Sequence, residues 1–153
     1  MAFDVALLTE FAIEAIADFA REHSDETFYA FAIDESLLCL NSVERFLETL
    51  DSYQTGKYGE NYTTSQQIAN LRANTGDWTY QGFSTFSGLS GYDEELYDDH
   101  YNIGLDDPWD PRLKATPYGR AMDAVLDNLV QRDAFFVIRR TLDFKVLRVE
   151  HSY

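Results

Sequence analysis

The chain has 153 residues, of which 45% are apolar and 15% aromatic, and its formal net charge is −15. This length suits one domain that buries roughly two-thirds of its unfolded surface, and the composition excludes global disorder. The charge excludes a free-standing nucleic-acid binder, because neutralising phosphates requires a basic footprint, and it disfavours binding to an anionic membrane surface.

The N-terminal quarter predicts one helix followed by two strands. Apolar residues recur at helical spacing over residues 3–22, and most acids lie off that stripe, which indicates an amphipathic helix. Residues 27–33 are aromatic, β-branched or Ala, a composition typical of a buried strand. After a short turn, residues 37–40 predict a second strand.

Two capping patterns predict the next two helices. Asn41 has Glu44 three residues later and an apolar stripe beyond it, so a helix is predicted to begin there and to end near Gly56. Thr64 with Gln67 is a second capping box and predicts a short helix that ends before residues 74–76.

The middle of the chain combines rings, acids and turn residues. Residues 77–83 alternate rings with polar residues and predict a strand, whereas the Ser/Gly-rich residues 84–91 predict a loop. Residues 92–101 are expected to form an exposed acidic helix. Residues 102–116 contain two prolines and several Asp residues and predict irregular structure.

The C-terminal part predicts a helix and two closing strands. Thr116-Pro117 places Pro at the first helical position, and an apolar stripe follows. Residues 134–138 and 144–149 are expected to pair as strands around a turn at 140–143. The mixed order of helices and strands predicts a single α+β domain over residues 1–153, with a small, mostly antiparallel sheet packed against four to five helices.

The cysteine content and the first residues of the sequence indicate the cellular compartment. Cys39 is the only cysteine, so no intrachain disulfide can form, which fits a reducing compartment. The start of the sequence lacks a basic secretory n-region, and no apolar run approaches the roughly 18 residues of a membrane span. We therefore expect a cytoplasmic protein in which Cys39 is buried.

Motifs for catalysis are absent. The sequence contains no phosphate-binding loop, dinucleotide fingerprint, nucleophile elbow or His-Glu-x-x-His helix. The acids of residues 93–99 beside His100 could be considered a metal site. However, consecutive acids on a helix point in different directions, and a solvated acidic face is favoured. No metal and no cofactor are therefore expected.

The most informative feature is an acidic segment without cations. Residues 73–111 contain no Lys or Arg, yet they hold nine acids and eight aromatic residues. Rings supply contact area where partners dock, and acids steer a cationic protein. The alternative is that the rings are core residues, Trp78, Tyr80 and Phe83 first among them, and that the acids only maintain solubility.

Three segments resemble a family of small bacterial proteins defined as domain of unknown function 4303. They are the aromatic strand at 27–33, the Asn-Thr-Gly-Asp-Trp segment continuing to residue 83, and the helix from Tyr118 followed by Phe135-Phe136-Val137. The resemblance implies a single α+β domain, and some members look like immunity proteins encoded beside bacterial toxins. It implies no catalytic residue.

Charge and resemblance together predict a non-catalytic immunity protein that neutralises a cognate toxin. The expected partner is a basic, nuclease-like protein, with no direct contact to nucleic acid or membrane. The expected partner-binding residues are Tyr92, Tyr97, Asp98, Asp99, Tyr101, Asp106, Asp107 and Trp109. Two alternatives stay open, namely a small metal-dependent hydrolase built on His100 and an adaptor or oligomerising protein. The oligomeric state is not predicted.

Overall fold

The computed structural model describes residues 3–150, so residues 1–2 and 151–153 of the predicted domain lie outside the described range. The strands in this range are β1 (Thr27–Asp34), β2 (Leu37–Ser42), β3 (Tyr80–Thr85) and β4 (Arg139–Val149). The α-helices are α1 (Val5–Glu22), α2 (Val43–Gln54), α3 (Ser65–Ala73), α4 (Glu94–Asp106) and α5 (Pro117–Gln131). Short 3-10 helices cover Gly59–Tyr62, Thr75–Asp77, Pro111–Lys114 and Ala134–Val137. None of the helices within residues 3–150 has the length and apolarity needed to cross a bilayer.

The strands form one mixed sheet in the order β3-β2-β1-β4. β1 pairs antiparallel with β2, and β2 pairs antiparallel with β3, whereas β4 lies parallel to β1. The predicted α+β class, with a mostly antiparallel sheet against five helices, is confirmed. The parallel pair arises because the chain returns to β1 only after the helices between β2 and β4, which supply the long crossover that parallel strands require.

The sheet carries a hydrophobic core on each face. The larger core lies between the sheet and the helices α1 and α5, and the sheet contributes Phe28, Phe31, Ile33, Leu38 and Leu40 to it. The smaller core lies under α2 and α3 and contains Tyr29, Ala30, Ala32, Cys39, Phe46, Leu71 and Trp78. Side chains of a strand alternate between faces, so a single run such as β1 feeds both cores, and its residues 28–34 are all buried.

The predicted helix starts are largely confirmed, with one residue corrected. The Thr64 side chain accepts from the Gln67 backbone N–H, and the Gln67 side chain returns to Thr64, which completes the predicted capping box. At α2, the cap is Ser42, whose Oγ accepts from the Arg45 N–H at 3.1 Å. Asn41 is instead buried in the sheet, where its side chain accepts from the Thr79 N–H at 3.2 Å.

Of the two predicted closing strands, residues 144–149 are confirmed as part of β4, whereas residues 134–138 do not form a strand and the predicted hairpin is wrong. Ala134–Val137 is a 3-10 helix, in which Ala134 and Phe135 enter the larger core. Such a short apolar run does not distinguish a strand from a buried turn. β4 is one long strand, and its pairing partner jumps from Phe28↔Arg140 to Ala30↔Lys145. The residues expected to turn a hairpin therefore form a bulge within a single strand.

The boundaries in the middle of the chain also differ from expectation. α4 begins at Glu94 and continues to Asp106, so the first part of the predicted irregular segment is helical. β3 begins at Tyr80, because Thr75–Asp77 is a 3-10 turn. The alternative that Trp78 belongs to a core is confirmed, since it is only 5% exposed.

Candidate partner-binding site

The acidic residues predicted for partner binding are carried by α4 and by the residue that follows it. Asp98, Asp99, Asp106 and Asp107 are all exposed. Asp93 is the N-cap of the helix, and its side chain accepts from the Leu96 N–H at 3.0 Å. Two further acids, Glu94 and Glu95, occupy the first turn. Acids there are favourable because they face the positive end of the helix dipole. Local stability of α4 thus coexists with a strongly negative surface.

Trp109 is the most prominent side chain of this surface. Its exposed fraction is 87%, which is far above that of a ring kept for packing. The turn that presents it is held on both sides by aspartates. Asp107 accepts from the Trp109 N–H at 2.9 Å, and Asp110 accepts from the Arg112 N–H at 2.9 Å while pairing with the Arg112 guanidinium. The ring is therefore exposed on a turn with defined backbone hydrogen bonds.

The structure places Tyr92 in the core, which corrects its prediction as a surface anchor. Tyr92 is 6% exposed, and its ring meets Phe3 edge-on at 5.3 Å between centroids. It also stacks near Phe86 at 6.1 Å. Tyr92 precedes the helix rather than lying on its outer face, and the loop before α4 folds it against the N-terminal end of α1.

Tyr97 and Tyr101 are half-buried, so neither is a free surface ring. The Tyr97 ring packs edge-on against the buried Tyr118 ring, with centroids 4.8 Å apart. Tyr101 lies one helical turn later, 6.2 Å from Tyr97. Residues four apart share one helix face, and here that face is turned towards α5. Burial raises the pKa of Tyr97, which keeps its phenol neutral.

Sequence reasoning missed a hydrogen-bond network around His100, which lies on the buried side of α4. His100 is 2% exposed; its Nδ1 lies 2.6 Å from the Thr116 hydroxyl and its Nε2 lies 2.8 Å from Oε2 of Glu150. Arg148 pairs with both Glu150 and Asp123. No local pattern could have revealed this network, because its members are 16 to 50 residues away from His100.

The network around His100 does not form a metal centre. Both ring nitrogens already have hydrogen-bond partners, and the acids at 94, 95, 98 and 99 face solvent. Among the described residues, no group of three or more His, Cys, Asp or Glu side chains could hold a metal ion. Burial, and then the Arg148 charge, lower the pKa of His100 to about 4. A neutral imidazole satisfies both contacts when Nε2 carries the proton.

Sequence reasoning also missed a second hydrogen-bond network, which lies at the end of the sheet near α2. Buried Glu26 contacts the Ser42 and Tyr80 hydroxyls at 2.6 Å each and His23 Nδ1 at 3.0 Å, while Arg45 donates to the Tyr80 hydroxyl at 3.1 Å. Although burial opposes it, the hydrogen bonds from Ser42, Tyr80 and His23 lower the pKa of Glu26. Every member has a partner, so this network joins α1, α2 and β3 rather than offering a reactive group.

The crevice beside His100 is too small for a substrate. Tyr97, Tyr101, Tyr118 and Glu150 are among the residues that line it, and its volume is about 10 Å³. This is roughly the space of one water molecule. Of the predicted residues, the structure therefore exposes the four aspartates and Trp109, and it places Asp107 next to Trp109, whereas the three tyrosines are partly or fully buried.

Comparison of the chain with protein-family models, with curated proteins and with solved structures found no match. The resemblance drawn from the sequence to the family of domain of unknown function 4303 consequently stays a prediction.

Proposed function

We propose that this chain is an immunity-type protein that acts in the cytoplasm, where it binds and neutralises a cognate toxin through the acidic surface formed by α4 and Trp109. The observation that carries the proposal is the 87% exposure of the Trp109 ring within a segment of 39 residues that has no Lys or Arg. An exposed tryptophan with an acidic rim fits a partner that offers an apolar pocket surrounded by cations.

The expected energetics assign different roles to the ring and to the acids. Burying Trp109 in a partner pocket would make it a hot spot, so its truncation would cost at least about 2 kcal/mol of binding free energy. The exposed carboxylates at 98, 99, 106 and 107 lie in high dielectric and contribute less to affinity. Their main effect is to accelerate encounter with a basic partner, by roughly 10- to 1,000-fold at low salt.

The experiment that tests this proposal compares three baits in the native host. The parent chain, Trp109→Ala and Phe136→Ala are immobilised and exposed to lysate at low and high salt. Phe136 is the matched control because it is an exposed ring, at 74%, outside the acidic segment. A captured protein is then produced alone and together with each bait, and cell growth is measured.

The proposal predicts a basic, growth-inhibiting partner that the parent and Phe136→Ala retain and neutralise, and that Trp109→Ala releases. Equal retention by Trp109→Ala would show that Trp109 is not the anchor. A partner whose toxicity is unaffected by the parent chain would contradict the immunity function itself.

A second candidate function, self-association as an adaptor, rests on a different surface. Four apolar side chains around the end of α5 and the start of β4 are exposed by more than half: Val130, Phe136, Val137 and Leu142. Light scattering of the purified chain tests this candidate. A stable oligomer that Phe136→Asp converts to a monomer would favour it, whereas a monomer at all concentrations would remove it.

A further inference from the structure

A groove lies on the face of the sheet that carries the smaller core, between α3 and β4. Its volume is about 310 Å³, which is at the lower end of small-molecule pockets, roughly 300–1,000 Å³. The lining is mostly apolar and includes two cations. It consists of Tyr29, Ala30, Ala69, Arg72, Ala73, Trp78, Lys145 and Leu147.

The groove exists because helices cover only part of this face. α2 packs over β1 and β2, while β4 is the edge strand next to β1. The side chain of Leu147 is therefore only half-buried, although it packs against the smaller core. The small side chains of Ala69 and Ala73 on α3 leave space above it.

Hydrogen bonds hold the aromatic wall of the groove in place. The carbonyl oxygen of Arg72 accepts from the Tyr29 hydroxyl at 2.7 Å and from Trp78 Nε1 at 2.9 Å. Asn41 Nδ2 in turn donates to the Tyr29 hydroxyl at 2.9 Å. Both rings are thus tied to the last turn of α3, and a ligand would meet a wall that needs no reorganisation.

Arg72 also supplies one of the two positive charges that line the groove. The Arg72 guanidinium lies over the Tyr29 ring, 4.0 Å from its centroid, an arrangement that orients the planar group. Its carboxylate neighbour is Asp143, at 3.9 Å and 64% exposed, which is the limit of an ion pair. Lys145 lines the groove from β4. Two cations thus face this cavity in a chain whose net charge is −15.

We propose that this groove binds a small amphipathic monocarboxylate whose apolar body lies against Trp78 and Leu147 and whose carboxylate is bound by Arg72 and Lys145. Guanidinium groups bind carboxylates through paired hydrogen bonds, and the apolar lining accepts a ring or branched chain. A single negative charge is favoured, because repulsion from the rest of the chain increases with the charge of the ligand. This site is independent of the acidic surface and of any toxin.

The test is a two-dimensional ¹H–¹⁵N NMR titration of the full chain with 3-phenylpropionate. The reporters are the Trp78 indole N–H and the backbone amides of Arg72 and Ala73. The neutral 3-phenylpropionamide and inorganic phosphate serve as ligand controls, since each lacks one half of the proposed chemistry. Saturable shifts at the reporters with 3-phenylpropionate, and little change with either control, are expected.

Three substitutions distinguish specific carboxylate binding in the groove from a non-specific apolar contact. Arg72→Gln and Lys145→Gln should each weaken binding about tenfold, the size of one charge-assisted hydrogen bond. Asp143→Asn should tighten binding severalfold, because it removes the carboxylate that competes for Arg72. Lys114→Gln, which removes an exposed charge outside the groove, is the matched control and should leave binding unchanged.

The proposal is overturned if 3-phenylpropionate produces no saturable shift, if the neutral amide binds equally well, or if Lys114→Gln weakens binding as much as Lys145→Gln. If Arg72→Gln does not fold, Lys145→Gln and Asp143→Asn still decide the outcome, since both alter exposed side chains. Unchanged affinity in both of these variants would also overturn it.

Discussion

Tyr92 and Trp109 flank the same acidic helix, yet Tyr92 is 6% exposed and Trp109 is 87% exposed. The two rings therefore have opposite roles. Tyr92 joins the N-terminal segment to the core through Phe3, whereas Trp109 contributes almost nothing to folding contacts. This contrast separates residues that stabilise the acidic surface from the residue that is available to a partner.

Truncating these two rings should affect stability very differently. Tyr92→Ala removes a packed aromatic side chain and should lower the free energy of unfolding by about 3–5 kcal/mol. Trp109→Ala changes an exposed side chain and should stay within about 0.5 kcal/mol of the parent. Urea denaturation followed by far-UV circular dichroism measures both. Comparable losses in the two variants would mean that Trp109 is packed and is not a free anchor.

Removing only the hydroxyl of Tyr92 should raise the free energy of unfolding, whereas removing the whole ring lowers it. The Tyr92 oxygen is buried and has no hydrogen-bond partner among residues 3–150. A buried unsatisfied polar atom costs about 1–3 kcal/mol, so Tyr92→Phe should raise the free energy of unfolding by about 1 kcal/mol. Tyr118→Phe is the control, because the Tyr118 hydroxyl donates to the Glu35 carbonyl at 2.7 Å and its loss should destabilise. Destabilisation by Tyr92→Phe would indicate that a bound water satisfies this hydroxyl.

The buried His100 should make stability fall on acidification. Its folded pKa, about 4, is below the ordinary value of 6.5, so the unfolded chain binds a proton that the folded chain excludes. Stability is therefore fully present above about pH 6.5 and is lost as the pH falls towards 4, by about 3 kcal/mol in total for this group.

The measurement compares unfolding free energies at pH 7 and pH 4.5 in the parent and in His100→Gln. His100→Gln should lose less stability between these pH values than the parent, because it lacks the buried imidazole whose pKa is lowered. An identical pH dependence in His100→Gln and the parent would contradict a lowered pKa.

Neutralising the α4 acids should slow association with the proposed toxin partner more than it weakens the proposed complex. The variant Asp98→Asn, Asp99→Asn, Asp106→Asn should lose about tenfold in association rate at low salt, and the loss should vanish at high salt. A matched variant with three exposed acids changed elsewhere, Asp51→Asn, Glu60→Gln, Asp127→Asn, has the same net charge. Stopped-flow fluorescence measures both. Equal slowing in the two variants would assign the effect to net charge rather than to the α4 surface.

Patterns that act over a few residues were predictable from the sequence. The amphipathic stripe of α1, the capping box at Thr64 and the Thr116-Pro117 start of α5 each determine a local structure through nearby backbone and side-chain contacts. The charge of the acidic segment likewise depends on composition alone. The exposure of Asp98, Asp99 and Trp109 agrees with that prediction.

Burial and strand pairing were decided only by the tertiary structure. Whether Tyr92 or Trp109 faces solvent depends on what folds against each ring, and both occur in similar acidic, aromatic contexts. The parallel pairing of β4 with β1 and the contact of His100 with Glu150 join residues far apart in sequence. The groove likewise combines Tyr29, Arg72 and Lys145 from three distant segments. Local propensity and charge are properties of neighbouring residues, whereas burial is a property of the whole packed chain, which explains why the sequence determined the former and left the latter to the fold.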